Sequence, residues 1–115
     1  MPRAKPDSPI DPALPLFARR LKAARLRSGI SQENLGVEAG VDEFSASARI
    51  NQYERGKHTP DVLTATNLAK VLDIPLAYFW AVGDDEADLI RLFHKLGIKQ
   101  RKQVLLLLEE LTEGK

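Results

Sequence analysis

The sequence predicts an all-α protein, a unit of five helices followed by two more. Apolar residues recur at three-to-four spacing, no stretch sustains the period-two alternation of a strand, and glycines or prolines punctuate each periodic stretch. The chain's 115 residues, 43% of them hydrophobic, suffice for one core but not for two full domains.

Five of the seven prolines fall within the first fifteen residues (Pro2, Pro6, Pro9, Pro12 and Pro15), so residues 1–13 read as a disordered arm. A first helix follows, with Phe17, Leu21 and Ala24 on one stripe, and ends at Gly29. Ser31 is placed to cap a short second helix through Gln32, Glu33 and Leu35, which Gly40 terminates in a left-handed conformation. Asp42 to Ala46 reads as a loop. Ser45 or Ser47 then caps a third helix that turns Ile50 and Tyr53 inward and Arg49, Asn51 and Gln52 outward, closing at Gly56.

Thr59-Pro60-Asp61 combines a hydroxyl cap, a proline tolerated at the first helical position and an acid near the positive helix end. The fourth helix carries Val62, Ala65, Leu68, Ala69 and Leu72 on its apolar stripe. Asp73-Ile74-Pro75 restarts a short fifth helix with Tyr78 and Phe79, and Trp80 beside them is expected to close the core. After Gly83 a sixth helix starts in the acids Asp84, Asp85, Glu86 and Asp88 and ends near Gly97, and a seventh spans Lys99 to Thr112. The expected organisation is therefore an arm at 1–13, a five-helix unit at 14–82 and a helical extension at 83–115.

Composition narrows the function. With no cysteine, disulfides, thiolate metal sites and cysteine nucleophiles are excluded. Apolar runs such as Val104 to Leu108 fall far short of the ~20 residues of a bilayer span, and the N-terminus has no apolar signal core, so a soluble cytoplasmic protein without a membrane partner is expected. His58 and His94 lie far apart with no carboxylate at ligand spacing, which leaves metal and cofactor sites and catalysis without support. The acids at 84–88 lack the alternating ligands of a calcium loop and match a helix dipole instead.

The net charge is only +1, but it is unevenly spread. Residues 1–60 hold ten Lys/Arg against seven Asp/Glu, and residues 61–115 hold seven against nine. Arg19, Arg20, Lys22, Arg25 and Arg27 crowd the first helix with no acid among them, a density suited to phosphate.

A basic helix, the joint Gly29-Ile30-Ser31-Gln32, a short helix, a break, and a polar helix ending in Tyr53-Glu54-Arg55-Gly56-Lys57 come in the order that lets one helix lie in a major groove while its predecessor crosses the backbone. Over roughly Phe17 to Phe79 the chain resembles the lambda-repressor-like (XRE-like) helix-turn-helix DNA-binding family. The resemblance rests on Arg25, Gly29, Ser31-Gln32, Leu35, Gly40-Val41, Ile50, Glu54, Gly56, Pro60, Leu68-Ala69, Leu72 and Ile74. It implies that Ser47, Ala48, Arg49, Asn51 and Gln52 read base edges, and that Gln32, Arg55, Lys57 and Arg19 meet phosphates. It also implies a structural ion pair between Arg25 and Glu54. Two departures stand out. The thirteen residues between Gly40 and Glu54 exceed the family's usual interval, which suggests a longer loop plus a partial extra turn, and Gly36 stands where the family usually has alanine.

The implied function is a sequence-specific transcriptional regulator, acting as a repressor on a near-palindromic operator in double-stranded DNA and requiring no cofactor. The alternative is an antitoxin-type interaction module of a toxin–antitoxin pair. Nothing in the sequence points to a particular small-molecule effector. Leu89, Ile90, Leu92, Phe93 and Leu96 on one helix, and Val104 to Leu108 with Leu111 on the next, are more apolar than one inward face requires. A homodimer through residues 83–115 is therefore expected, with Leu89, Phe93, Leu107 and Leu111 at its interface.

Overall fold

The computed structural model describes residues 10–113, and among these every regular element is helical. The elements are α1 (Leu16–Ser28), α2 (Gln32–Glu38), α3 (Ala46–Glu54), α4 (Val62–Leu72), a 3-10 helix (Leu76–Trp80), α5 (Asp84–His94) and α6 (Ile98–Glu113). Most of the expected arm lies outside the described residues. Its last part, Asp11 to Leu14, is a turn in which the Asp11 carboxylate accepts from the Ala13 N–H at 2.9 Å.

One core unites the first four helices and the 3-10 helix: Phe17, Leu21, Leu35, Ile50, Leu68, Tyr78 and Phe79 are buried. The helix ends are set by backbone chemistry that the sequence announces. Gly40 (φ 96°) and Gly56 (φ 74°) take left-handed conformations that bend the chain back, so the Val41 and Lys57 amides donate to Gly36 and Gln52 carbonyls. The left-handed residue ending α4 is Asp73 (φ 55°), a residue type whose short polar side chain tolerates that region.

Several expectations need correction. The cap of α4 is Asp61, whose carboxylate accepts from the Thr64 N–H at 2.9 Å; Thr59 and Pro60 precede the helix, because the stronger acceptor sits two residues later. Val62 is exposed, the core face of α4 being Ala65, Leu68, Ala69 and Leu72. Trp80 is 46% exposed at the end of the 3-10 helix, resting one face on Phe17 at 5.4 Å. The sixth helix stops at His94, before the turn through Leu96 and Gly97. Ser45 precedes α3 at the cap position but gives it no side-chain cap; its hydroxyl donates to the Asp42 carbonyl.

The long interval after Gly40 resolves as a loop with one hydrogen-bonded turn, Asp42 to Ser45, and α3 starts only at Ala46. Phe44 projects from that turn into solvent.

Gly36 also finds its reason here. A Cβ at this position would lie 2.8 Å from the Ala46 Cβ and 3.0 Å from its carbonyl oxygen, so α2 and α3 approach as closely as two backbones allow. Gly36→Ala would gain about 1 kcal/mol of helix propensity but incur about 1–3 kcal/mol of overpacking, since Ala46 has no flexible end that gives way. The expected result is a lower urea midpoint for Gly36→Ala; a raised midpoint would show that the two helices separate freely.

α5 meets this core through Ala87 and the partly buried Ile90, and α6 lies outside it. Only Ala87 of α5 is fully buried, and no residue of α6 is. The radius of gyration is 15.7 Å, above the ~13 Å of a compact chain of this length, because α6 projects from the body of a molecule 53 Å long.

Candidate nucleic-acid interface

α2 and α3 form the tightest helix pair in the molecule, and their joint is fixed by a polar network beneath α3. Arg25 of α1 reaches Glu54 in a two-pronged ion pair, Nε to Oε2 at 2.5 Å and Nη2 to Oε1 at 3.1 Å. Arg25 also donates to the Ile30 carbonyl at 3.2 Å, tying the α1–α2 turn into the same cluster. The Gln32 side-chain amide donates to Glu54 Oε1 at 3.1 Å and to Asn51 Oδ1 at 3.3 Å. Glu54 is 3% exposed, so three elements converge on one buried carboxylate.

This arrangement leaves α3 with a free face. Ser47, Ala48 and Arg49 are exposed, and Asn51 and Gln52 are half-buried at its edge. Arg55 and Lys57 follow, both exposed, with the Lys57 amide held by the Gln52 carbonyl at 2.9 Å. A Cβ on Gly56 would lie 2.7 Å from Pro15, so the start of α1 abuts the turn that carries these two cations. Among the described residues, the side chains of Ser47, Arg49, Gln52, Arg55 and Lys57 form no hydrogen bond within the protein.

The cations of α1 divide differently from their appearance in sequence. Arg20 is 7% exposed and donates to the Ala81 and Val82 carbonyls and to Asp84. Arg25 serves the Glu54 network. Arg27 meets the Tyr78 hydroxyl at 3.3 Å, and half-buried Arg19 donates to the Leu14 carbonyl at 3.0 Å. Arg20 and Arg25 are thus the α1 cations neutralised by an acid, while Arg19, Lys22 and Arg27 keep their charge on α1 as Arg49, Arg55 and Lys57 do around α3. Gln32 points both its donors inward, an arrangement that the sequence signal Ser31-Gln32 did not reveal. Arg20 could have been found, since it falls on the Phe17–Leu21–Ala24 stripe itself.

At the opposite end, Asp73 accepts from Lys95 Nζ at 2.6 Å and pairs with His94 Nε2 at 3.1 Å. The hydrogen bond and charge of Lys95, reinforced by His94, hold the Asp73 carboxyl below the usual aspartate range. The Thr64 backbone N–H does the same to Asp61. No cluster of three or more potential metal ligands occurs among the described residues, and none of the described helices is long and apolar enough to cross a membrane.

With this geometry in place, comparison with known proteins is decisive. The family model described as helix-turn-helix matches residues 21–79. The chain belongs to the helix-turn-helix family. Within it, the chain falls among the lambda-repressor-like, XRE-like DNA-binding regulators. The crystal structure of the transcriptional regulator BswR superposes with a TM-score of 0.80 at 45% identity, covering 84% of this chain and 96% of that one. The uncharacterised HTH-type transcriptional regulator YqaE of Bacillus subtilis (strain 168) is 30% identical over 63 residues, 55% of this chain, and the match spans 51% of that relative's length. α2 and α3 are the two helices of the helix-turn-helix.

Proposed function

We propose that this helix-turn-helix protein is a sequence-specific transcriptional repressor that binds a near-palindromic operator as a homodimer and acts by occupying it. The observation that carries the reading is the free face of α3, braced from below by Arg25, Glu54 and Gln32 and flanked by uncommitted cations. A helix fits the major groove, where short polar side chains such as Ser47, Asn51 and Gln52, together with Arg49, read donor and acceptor patterns. Arg55 and Lys57 supply the phosphate contacts. Gln32 serves mainly as the strut between Glu54 and Asn51, and Arg19 approaches the backbone beside the α1 start.

The dimeric part of the proposal is supported by α5 and α6. Leu105, Leu106, Leu107 and Leu111 are each at least half exposed, and α6 buries nothing of its own. Between the two helices lies an apolar groove of about 440 Å³ lined by Leu89, Ile90, Phe93, Leu105 and Leu108. Two-fold pairing of such surfaces would set two α3 helices one DNA turn, about 34–36 Å, apart. The helical order of α6 favours a dimer module over the extended clamp that an antitoxin would offer.

Affinity for duplex DNA should fall with salt, each phosphate contact adding about 0.9 to the log–log slope. Arg55→Ala and Lys57→Ala should weaken all sequences by the same factor and reduce that slope, whereas Gln52→Ala should lose about 1–3 kcal/mol on the specific operator alone. Titrations of specific and scrambled duplexes at several salt concentrations separate the two. A Gln52→Ala protein that keeps its full preference would move base reading elsewhere on the molecule.

A further inference from the structure

The polar bonds between the DNA-reading unit and the leucine-rich helices gather at the two ends of α5, on either side of the apolar contact that Ala87 and Ile90 make with the core. At its start, the buried Arg20 guanidinium bridges from α1 to the linker: Nε to the Ala81 carbonyl at 3.0 Å, Nη2 to the Val82 carbonyl at 3.1 Å and Nη1 to Asp84 at 2.9 Å. Just beyond its last residue, Lys95 Nζ donates to both the carboxylate and the carbonyl of Asp73, at 2.6 and 3.2 Å, with His94 on the second carboxylate oxygen. α6 is fastened in turn by Arg101, which donates to the Leu96 and His94 carbonyls, both at 3.1 Å.

We propose that Arg20, with Asp73 as its counterpart, is a positioning residue that fixes the angle between the reading unit and the dimerising helices, and thereby sets the half-site spacing the protein accepts. The inference rests on the dimeric reading above and adds to it the side chains that translate protein geometry into operator geometry. Eleven helical residues separate the two attachments by about 16 Å, so together they remove the hinge freedom that either alone would leave. Arg20 is suited to this role because its planar fork satisfies two backbone carbonyls and a carboxylate at once, which an ammonium group cannot match in direction. The leverage is large. A swing of roughly 8° about the linker moves a point half of the 53 Å molecule away by about one base-pair rise of ~3.4 Å.

The test uses the full chain. Because the chain has no cysteine, Glu38→Cys and Lys102→Cys accept spin labels cleanly, and dilution with unlabelled protein confines each measured distance to one chain. The parent protein should give one narrow distance distribution. Arg20→Lys, which keeps the charge, should remain folded by circular dichroism and broaden it at least twofold, and adding Asp73→Asn should broaden it further. Asp84→Ala, which leaves both carbonyl bonds of Arg20 in place, should keep it narrow. On duplexes whose two half-sites are moved apart by one base pair at a time, the parent should favour one spacing by roughly tenfold and Arg20→Lys by under threefold, with affinity for a single half-site unchanged. Unaltered distances and an unaltered spacing preference in a folded Arg20→Lys/Asp73→Asn protein would overturn the proposal. A parent protein indifferent to spacing, with distances that still broaden in the variants, would overturn the dimeric reading and the spacing role while leaving the clamp itself supported.

Discussion

Glu54→Ala is expected to lower the unfolding free energy by about 3–5 kcal/mol, because it strands the Arg25 guanidinium, whose side chain is only 13% exposed, with no counter-charge. The loss extends beyond the pair. Gln32 would keep only its 3.3 Å bond to Asn51, and the turn at Ile30 would lose a brace, since Arg25 would no longer be held against it. For a domain whose total stability is on the order of 5–15 kcal/mol, this brings the chain near its unfolding threshold. An exposed surface pair would contribute only about 0–1 kcal/mol, so urea denaturation separates the two cases. The paired replacement Arg25→Met with Glu54→Leu should recover much of the loss, since neither charge is then buried alone. A loss below 1 kcal/mol for Glu54→Ala would contradict the bracing role.

The second large effect concerns assembly. Leu107→Asp combined with Leu111→Asp should leave the protomer folded, since both side chains are more than half exposed and touch no core, and surface changes of this kind usually stay within about 0.5 kcal/mol. Dimerisation should fail, because each leucine buried on association contributes about 1.5–3 kcal/mol and each occurs twice across a two-fold axis. Affinity for a two-half-site operator should then drop by roughly 10²- to 10⁴-fold, as the second half-site loses its tethered partner. Sedimentation and DNA titration of the same preparation report both. A variant that stays dimeric would place the interface away from α6.

Which features were legible in the sequence follows from the physics that sets them. Helix ends at Gly29, Gly40 and Gly56 were readable because left-handed backbone demands a particular residue, and the core stripe of α1 was readable from its period. Gly36 is legible as a departure from the family's alanine, but the Ala46 contact that requires it is tertiary. Charge was less legible. Five cations on α1 look alike in their periodicity; the Arg25–Glu54 pair is implied only by the family resemblance, and Arg20's bonds to carbonyls and a carboxylate more than sixty residues away are encoded by no local pattern. The α4 cap is ambiguous in sequence because Thr59 and Asp61 are both good caps, and the choice between them depends on where α4 must start to bury Ala65 and Leu68. Trp80 was expected inside with Tyr78 and Phe79, but the 3-10 helix turns the three aromatics to different sides and only two find the core.

The central claim is that α3 reads sequence while the cations around it supply general affinity. Selection from a pool of randomised duplexes tests it most directly, performed in parallel with the parent protein and with a variant in which Ser47, Arg49, Asn51 and Gln52 are all alanine. The parent should enrich a near-palindrome whose half-sites are centred about one helical turn apart, and the variant should enrich nothing while still binding bulk duplex in a salt-dependent way. Enrichment of the same sequence by both proteins would contradict the account.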